Sequence, residues 1–287
     1  MRKRRTFRLK LHSRTLVLGE RTLLMGVLNV TPDSFSDGGR YRDAGAAVRR
    51  ALEMEAEGAD IIDIGGESTR PGSEPVSAET ELARVLPVVE GLRGRLKIPI
   101  SIDTQKARVA EAALAAGAEM VNDVSALRTD PALAEVVRRA RVPLVLMHMR
   151  GRPKTMQLRP FARDVMADVT RGLREALGRA RRAGIPRSRL ILDPGIGFGK
   201  SVEQNCELLA RLPELARLGC PLLVGTSRKA FLGALAGGGT EDRRIWGTAA
   251  SVTATVLGGA HIVRVHDVAE MLRVVRVADG IVRGREK

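Results

Sequence analysis

Residues 60–103 read DIIDIGGESTRPGSEPVSAETELARVLPVVEGLRGRLKIPISID. Two short apolar runs, Asp60–Gly65 and Ile98–Asp103, flank a longer amphipathic run, Ala78–Arg95. Short apolar runs suit strands buried on both faces, and the amphipathic run between them suits a helix that covers those strands. Strand, crossover helix and strand make the repeating unit of a parallel sheet.

The alternation extends in both directions. Further strand candidates are Thr22–Asn29, Glu119–Asp123, Pro143–His148, Leu190–Asp193, Pro221–Gly225 and His261–His266, which with the first two make eight. Helical patterns fall at Asp43–Gly58, Gln105–Gly117, Pro131–Ala140, Phe161–Gly184 and Val202–Leu218, then at a split pair, Lys229–Ala236 and Arg243–Gly259, and at Val268–Gly280. Gly58, Gly117 and Gly184 stand where helices end, as glycine tends to. Eight repeats predict an α/β fold of the closed (β/α)8 TIM-barrel kind rather than its rival, an open doubly wound sheet. Before the barrel, Phe7, Leu9 and Leu11 alternate, as do Leu16 and Leu18, which predicts an N-terminal β-hairpin within residues 1–21. No linker or low-complexity tract interrupts residues 1–287, so one domain is expected.

Composition agrees. The chain has 287 residues and is 44% hydrophobic, enough for a barrel of about 250 residues. No apolar run reaches the roughly 18 residues of a membrane span. The basic start, MRKRRTFRLKLHSRTLVLGER, holds an apolar stretch too short for a secretory signal core, though a cleaved organellar leader is an alternative to the hairpin. Cys206 and Cys220 form no metal spacing and the four histidines are scattered, so a reducing, cytoplasmic compartment is expected. The net charge of +15 comes with arginines spread along nearly every helical segment and with only 2% aromatics. That is a solvated surface with few platforms for stacking bases. It argues against a nucleic-acid partner and is compatible with an anionic small-molecule substrate.

In a barrel all strand C-termini meet at one rim, where active sites are built. The eight strands deliver to it, in order, Asn29; Asp63 with Glu67, Thr69 and Arg70; Asp103; Asn122 and Asp123; His148; Asp193; Ser227, Arg228 and Lys229; and Arg264 with His266. Asp103, Asn122 and Asp193 suit a flat heterocycle with amino and amide edges, since a carboxylate accepts two N–H bonds from a guanidine-like edge. Thr69, Arg70, Arg264 and His266 suit phosphate oxygens. Asn29 and the aspartates of the adjoining GVLNVTPDSFSDGG, residues 26–39, offer hard oxygens to Mg²⁺. The rim therefore reads as a site for a heterocycle and a phosphate or diphosphate. PGIGFGKS, residues 194–201, lies one residue from a phosphate-loop pattern, but Pro194 replaces the first glycine and takes away an N–H and the opening turn.

Eight stretches carry a resemblance: GVLNVTPDSFSDGG, DIGGESTRPGSEPVS, SIDT, NDVSALR, MHMRGRPKTMQ, LDPGIGFGKSVEQN, VGTSRKAF and RVHDV. In series, from the first strand to the last, they resemble the dihydropteroate synthases, pterin-binding barrels of folate biosynthesis. The resemblance implies a transferase that condenses 6-hydroxymethyl-7,8-dihydropterin diphosphate with para-aminobenzoate, with Mg²⁺, and that sulfonamides target. By motif position it implies that Asp103, Asn122, Met147, Asp193, Phe198 and Lys229 hold the pterin. Asn29, Thr69, Arg70, Arg264 and His266 would hold the diphosphate, with Mg²⁺ on Asn29. Phe35, Pro71, Phe198, Ser227 and Lys229 would frame para-aminobenzoate. Asp103, Asp193, Lys229, Arg264 and His266 would take the catalytic parts. The loop of residues 26–39 would close over the diphosphate and bring Phe35 to the second substrate. The family also implies a homodimer through helices far from the rim. Two other readings stay open: a methyltetrahydrofolate–corrinoid methyltransferase of the same barrel class, which needs neither TSRK nor STRPG, and a silent pterin-binding paralogue. His12 and His261 fall outside the motifs, His148 is expected to be a structural hydrogen-bonder, and no catalytic part falls to MRKRRTFRLK.

Overall fold

A computed structural model describes residues 4–31, 40–69, 72–151, 156, 163–237 and 241–284. Its centre is a ring of eight parallel strands: β3 (Leu23–Asn29), β4 (Ile61–Gly65), β5 (Ile100–Asp103), β6 (Met120–Asp123), β7 (Leu144–Met147), β8 (Leu190–Asp193), β9 (Leu223–Gly225) and β10 (Ile262–Val265). They lie in the order β8-β7-β6-β5-β4-β3-β10-β9. A parallel bridge between Leu192 and Leu222, with the Leu192 N–H donating to the Pro221 carbonyl at 2.9 Å, joins the outer pair and closes the ring. The predicted barrel is therefore present, each strand a little shorter than its apolar run or equal to it.

Between the strands run α1 (Arg40–Glu57), α2 (Ala78–Leu92), α3 (Ala107–Ala116), α4 (Ala132–Ala140), α5 (Val165–Arg182), α6 (Val202–Ala210), α7 (Ala230–Leu235), α8 (Glu241–Leu257) and α9 (Val268–Gly284). The helix expected over Val202–Leu218 is two elements. After α6 the chain tightens into a 3₁₀ helix, Leu212–Leu218. Pro213 has no N–H to continue the α-helical ladder, and its ring meets the carbonyl four residues back.

The ladder explains how one barrel holds both a dry core and a polar site. Side chains alternate across a strand with period two. Met25, Ile61, Met120, Val145, Ile191, Leu223 and Ile262 form one apolar cluster in the lumen. Two residues further along each strand, on the same inner face, stand Val27, Asp63, Asn122, Met147, Asp193, Gly225 and Arg264, and β5 adds Ser101 and Asp103. The intervening residues, such as Ile62, Ile64, Ile102, Val121, Leu146 and Val263, are buried beneath the helices.

The N-terminal hairpin, β1 (Phe7–Lys10) with antiparallel β2 (Thr15–Leu18), stops the opposite mouth. Its Leu9, Leu11 and Leu18 join the lumen cluster. Arg4 anchors it by donating to Thr22 Oγ1 at 2.9 Å and to Asp279 Oδ1 on α9 at 3.2 Å. His261, outside the motifs, lies at this end. Its Nδ1 accepts the Leu222 N–H at 3.1 Å, so Nε2 carries the proton to the Arg5 carbonyl at 3.0 Å. Burial pushes its pKa down to about 4 and keeps the ring neutral. Among the described residues, no helix is long and apolar enough to cross a membrane.

Candidate active site

The inner-face polar groups open into a pocket at the C-terminal rim. Asp103, Asn122, Met147, Asp193, Phe198 and Lys229 line it, as do Thr69, Ser227, Arg264 and His266, together with Val27, Val124 and Gly225. The first ten are residues that the sequence pointed to. Asn29 ends β3 half-buried at the same rim but does not line the pocket. Phe35, Arg70 and Pro71 lie outside the described residues. A roomier hollow at the other end, between the hairpin, Asp60 and Arg283, holds none of these groups, and its Arg21 is taken by Asp60.

The floor is built around Arg264 of β10. Its Nε donates to Asp63 Oδ2 at 2.6 Å and its Nη2 to Asp103 Oδ2 at 2.8 Å. Burial disfavours the guanidinium charge, but the two carboxylates outweigh it and hold the pKa above its ordinary value. Asn122 Nδ2 donates to the same Asp63 oxygen at 2.9 Å. Asp103 is pushed up to about 8, chiefly by burial, with Arg264 pulling it down and Asp63 pushing it up.

The far wall is the loop after β8. Asp193 Oδ1 accepts the Gly195 N–H at 2.6 Å. Burial raises the Asp193 pKa against the pull of Lys229. Lys229 donates to the Ile196 carbonyl, and its ammonium sits 4.5 Å from the centre of the Phe198 ring. Burial lowers Lys229 to about 8 while Asp193 opposes the change. Gly195 is needed here: its φ is +66°, and a Cβ would stand 1.9 Å from the His148 carbonyl oxygen.

Lys200, the lysine of the near-phosphate-loop string, faces inward. Its Nζ donates to the carbonyls of Gly195 at 2.7 Å and Phe198 at 3.0 Å, and to His148 Nδ1 at 3.1 Å. It therefore ties the loop that carries Phe198. Burial, and then the charge of Lys229, lower its pKa to about 7. His148 is the hydrogen-bonder expected of it. Its Nε2 lies 3.5 Å from Asp168, and burial followed by Lys200 pushes its pKa down to about 3.

Two braces hold the remaining corner groups. Ser227 Oγ accepts the His266 N–H at 3.2 Å and lies 3.0 Å from His266 Nδ1. The two contacts fix the His266 ring against Ser227 at the pocket corner. Next to Thr69, Lys106 Nζ lies 2.5 Å from Glu67 and 2.5 Å from the fully buried Glu81. Arg84 donates to the Gly66 carbonyl at 2.7 Å. Glu67 is thus a loop brace and not a free rim carboxylate. Asp123 also turns away from the pocket, accepting the N–H groups of Ser125 at 2.8 Å and Leu127 at 2.6 Å. Sequence reasoning counted Asp63 among the groups delivered to the rim and gave it no binding part, whereas the structure buries it below the pocket lining. Its place two residues beyond Ile61 was the available signal, because that spacing points it into the lumen.

Chemically, the pocket offers acceptors at Asp103, Asn122 and Asp193, cations at Lys229 and Arg264, and an aromatic edge at Phe198. Residues 25–266 match the pterin binding enzyme family. A Synechocystis dihydropteroate synthase is 49% identical over 265 residues, with 92% of each chain covered. The structure of Xanthomonas albilineans dihydropteroate synthase with 4-aminobenzoic acid superposes with a TM-score of 0.90 at 46% identity, over 96% of this chain and 98% of that one. The same enzyme in complex with 7,8-dihydropteroate gives a TM-score of 0.86 at 45% identity, over 96% and 98%. The chain therefore belongs to the dihydropteroate synthase family of pterin binding enzymes.

Proposed function

We propose that the chain joins 6-hydroxymethyl-7,8-dihydropterin diphosphate to para-aminobenzoate, giving 7,8-dihydropteroate and pyrophosphate. The observation that carries this reading is the buried acceptor set, Asp103, Asn122 and Asp193, gathered around Lys229 and Arg264 in one rim pocket. A pterin presents N–H donors along its amino-pyrimidine edge, and carboxylates receive such an edge well. Phe198 and Met147 give its ring an apolar flank. Arg264 and His266, with Thr69 and Arg70, take the diphosphate end, and Ser227 and Lys229 face the incoming para-aminobenzoate.

The bond from the pterin methylene to the diphosphate oxygen breaks and a carbon–nitrogen bond to the amine forms. The amine then gives up a proton. An aniline nitrogen is neutral at pH 7, so the enzyme needs no strong base. Its work is to orient the amine and to stabilise charge as the diphosphate leaves. Asp193 stands where it can stabilise positive charge growing on the pterin. Mg²⁺, which neutralises diphosphate oxygens when bound, commonly takes only one or two protein ligands and completes its shell with phosphate and water. The half-buried carboxamide of Asn29 at the β3 end suits that sparse protein share.

We also infer a cytoplasmic homodimer. Trp246 on α8 and Val277 and Ile281 on α9 are exposed although α8 and α9 pack on each other, and an apolar group of this kind away from the rim suits a second copy. Steady-state turnover with both substrates and Mg²⁺ tests the activity, with pyrophosphate and dihydropteroate expected in equal amounts. Tight pterin binding without turnover would favour the silent paralogue.

A further inference from the structure

Asp63 is a carboxylate of the lumen that no substrate can reach. It is fully buried on β4, below the pocket lining. Yet its Oδ2 receives two of the groups that do line the pocket, Arg264 through Nε at 2.6 Å and Asn122 through Nδ2 at 2.9 Å. We propose that Asp63 is a positioning residue that sets which atom Asn122 presents to the heterocycle and fixes the Arg264 guanidinium beside it. This rests on the reading of the pocket as a pterin site.

Donor and acceptor chemistry fixes both orientations. An ionised carboxylate only accepts. Asn122 must therefore turn its amide nitrogen toward Asp63, which leaves its carbonyl oxygen as the atom available to a ligand. Without Asp63 the amide could flip and offer a donor to an edge that is itself made of donors. Arg264 is fixed in the same way. Nε goes to Asp63 and Nη2 to Asp103 at 2.8 Å, which ties the guanidinium plane of β10 to β4 and β5. Packing alone does not require a carboxylate here. Ile61, one inner-face step below on the same strand, fills the lumen with hydrocarbon, and a buried charge is more costly than that. Among the described residues, Asp63 Oδ1 has no hydrogen-bond partner, and neither does Ser101 Oγ at the register-paired position of β5. The side chain is thus retained at a cost, and the two site residues it holds are what its placement gains.

The test is calorimetric binding of a pterin without diphosphate to Asp63→Asn, Asn122→Ala and the double variant, with thermal melts to show that each is folded. Asp63→Asn keeps the shape but removes the charge and the obligatory acceptor. It should weaken pterin binding about tenfold in the wild-type background. With Asn122 already Ala the further loss should be no more than about threefold, because part of what Asp63 positions is gone. The KM for para-aminobenzoate should stay within about twofold. Asp63→Ser, smaller and uncharged, should lose at least as much and serves where the Asn variant does not fold. Binding within twofold of wild type, or the same fold-loss in both backgrounds, overturns the proposal. If Asn122→Ala binds pterin normally, the pterin reading of the pocket falls and takes this inference with it. If Asn122→Ala weakens binding and Asp63→Asn does not, the inference alone falls.

Discussion

Replacing Asp193 by Asn exchanges one carboxylate oxygen for an amide nitrogen, and the structure says which way the new amide turns. Oδ1 of Asp193 is held by the Gly195 N–H at 2.6 Å. A backbone donor at that distance keeps an oxygen opposite it, so the Asp193→Asn side chain would send its nitrogen into the pocket. A carboxylate that accepted from the pterin edge becomes a donor facing donors. Loss of one charge-assisted hydrogen bond costs about 1.5–3 kcal/mol, and a polar group left facing a like group adds about 1 kcal/mol or more. Lys229 loses its chief opposing charge as well. The sum is about 3 kcal/mol, on the order of a hundredfold in pterin affinity. Isothermal titration of the variant with a dihydropterin reads this directly. A pterin analogue that carries an acceptor in place of its exocyclic amine supplies the control: its discrimination against the natural pterin should shrink or reverse in the variant. A natural pterin bound within about threefold of wild type would refute the orientation argument and the place given to Asp193.

Glu67→Gln should loosen the segment that presents Thr69, because Lys106 then keeps only Glu81 as an ionic partner; KM for the pterin diphosphate should rise several-fold while affinity for a diphosphate-free pterin holds, and equal losses for both would point away from the diphosphate end. His148 is held neutral in the fold with its pKa pushed down to about 3, so stability should fall as pH drops from about 6.5 toward 3, where the unfolded chain takes up a proton and the folded chain does not. Urea titrations of wild type and His148→Gln across that range should show a flatter acid limb in the variant. Burial pushes Asp103 up to about 8 and Lys229 down to about 8, so pterin diphosphate affinity should decline above about pH 8; affinity that stays flat to pH 9.5 or so would contradict this.

The barrel was legible because its strands are buried on both faces and its helices on one. Runs such as Asp60–Gly65 and Leu190–Asp193 stop within a residue of where the strands themselves end. The rim was legible for a related reason: short carboxylates and carboxamides at the end of an apolar run have nowhere to go but the mouth of the barrel. What period and position could not supply was the partner of each polar group. Asp63, Asp103 and Asp123 look alike in sequence. One lies under the pocket, one lines it, and one caps a loop beside it. Choosing among them requires the register between strands and the path of the following loop, both set by tertiary packing. Lys200 is similar. Its glycine-rich surroundings suggest a phosphate, but Gly195, Gly197 and Gly199 all adopt positive φ. The resulting turn brings the carbonyls of Gly195 and Phe198 to the ammonium, so the loop wraps its own lysine.

Charge arithmetic in the lumen ties these pieces to the chemistry. Three carboxylates, Asp63, Asp103 and Asp193, stand against two cations, Arg264 and Lys229. With all five ionised the group sums to −1. Burial pushes Asp103 up to about 8, toward a neutral form that would bring that sum to zero in the empty pocket, while N–H bonds from a bound pterin edge favour its carboxylate. A neutral pocket can receive a neutral pterin with little electrostatic cost, whereas a pocket of net charge in so dry a place would demand a counter-ion. Above pH 8 Asp103 gains a negative charge and Lys229 loses a positive one, which takes the sum to −2. An anionic diphosphate tethered to the pterin is then repelled. Asp193 faces Lys229 at the pocket wall, so that positive charge developing on the pterin as the diphosphate departs meets a carboxyl group already fixed by Gly195 and needing no reorganisation to respond.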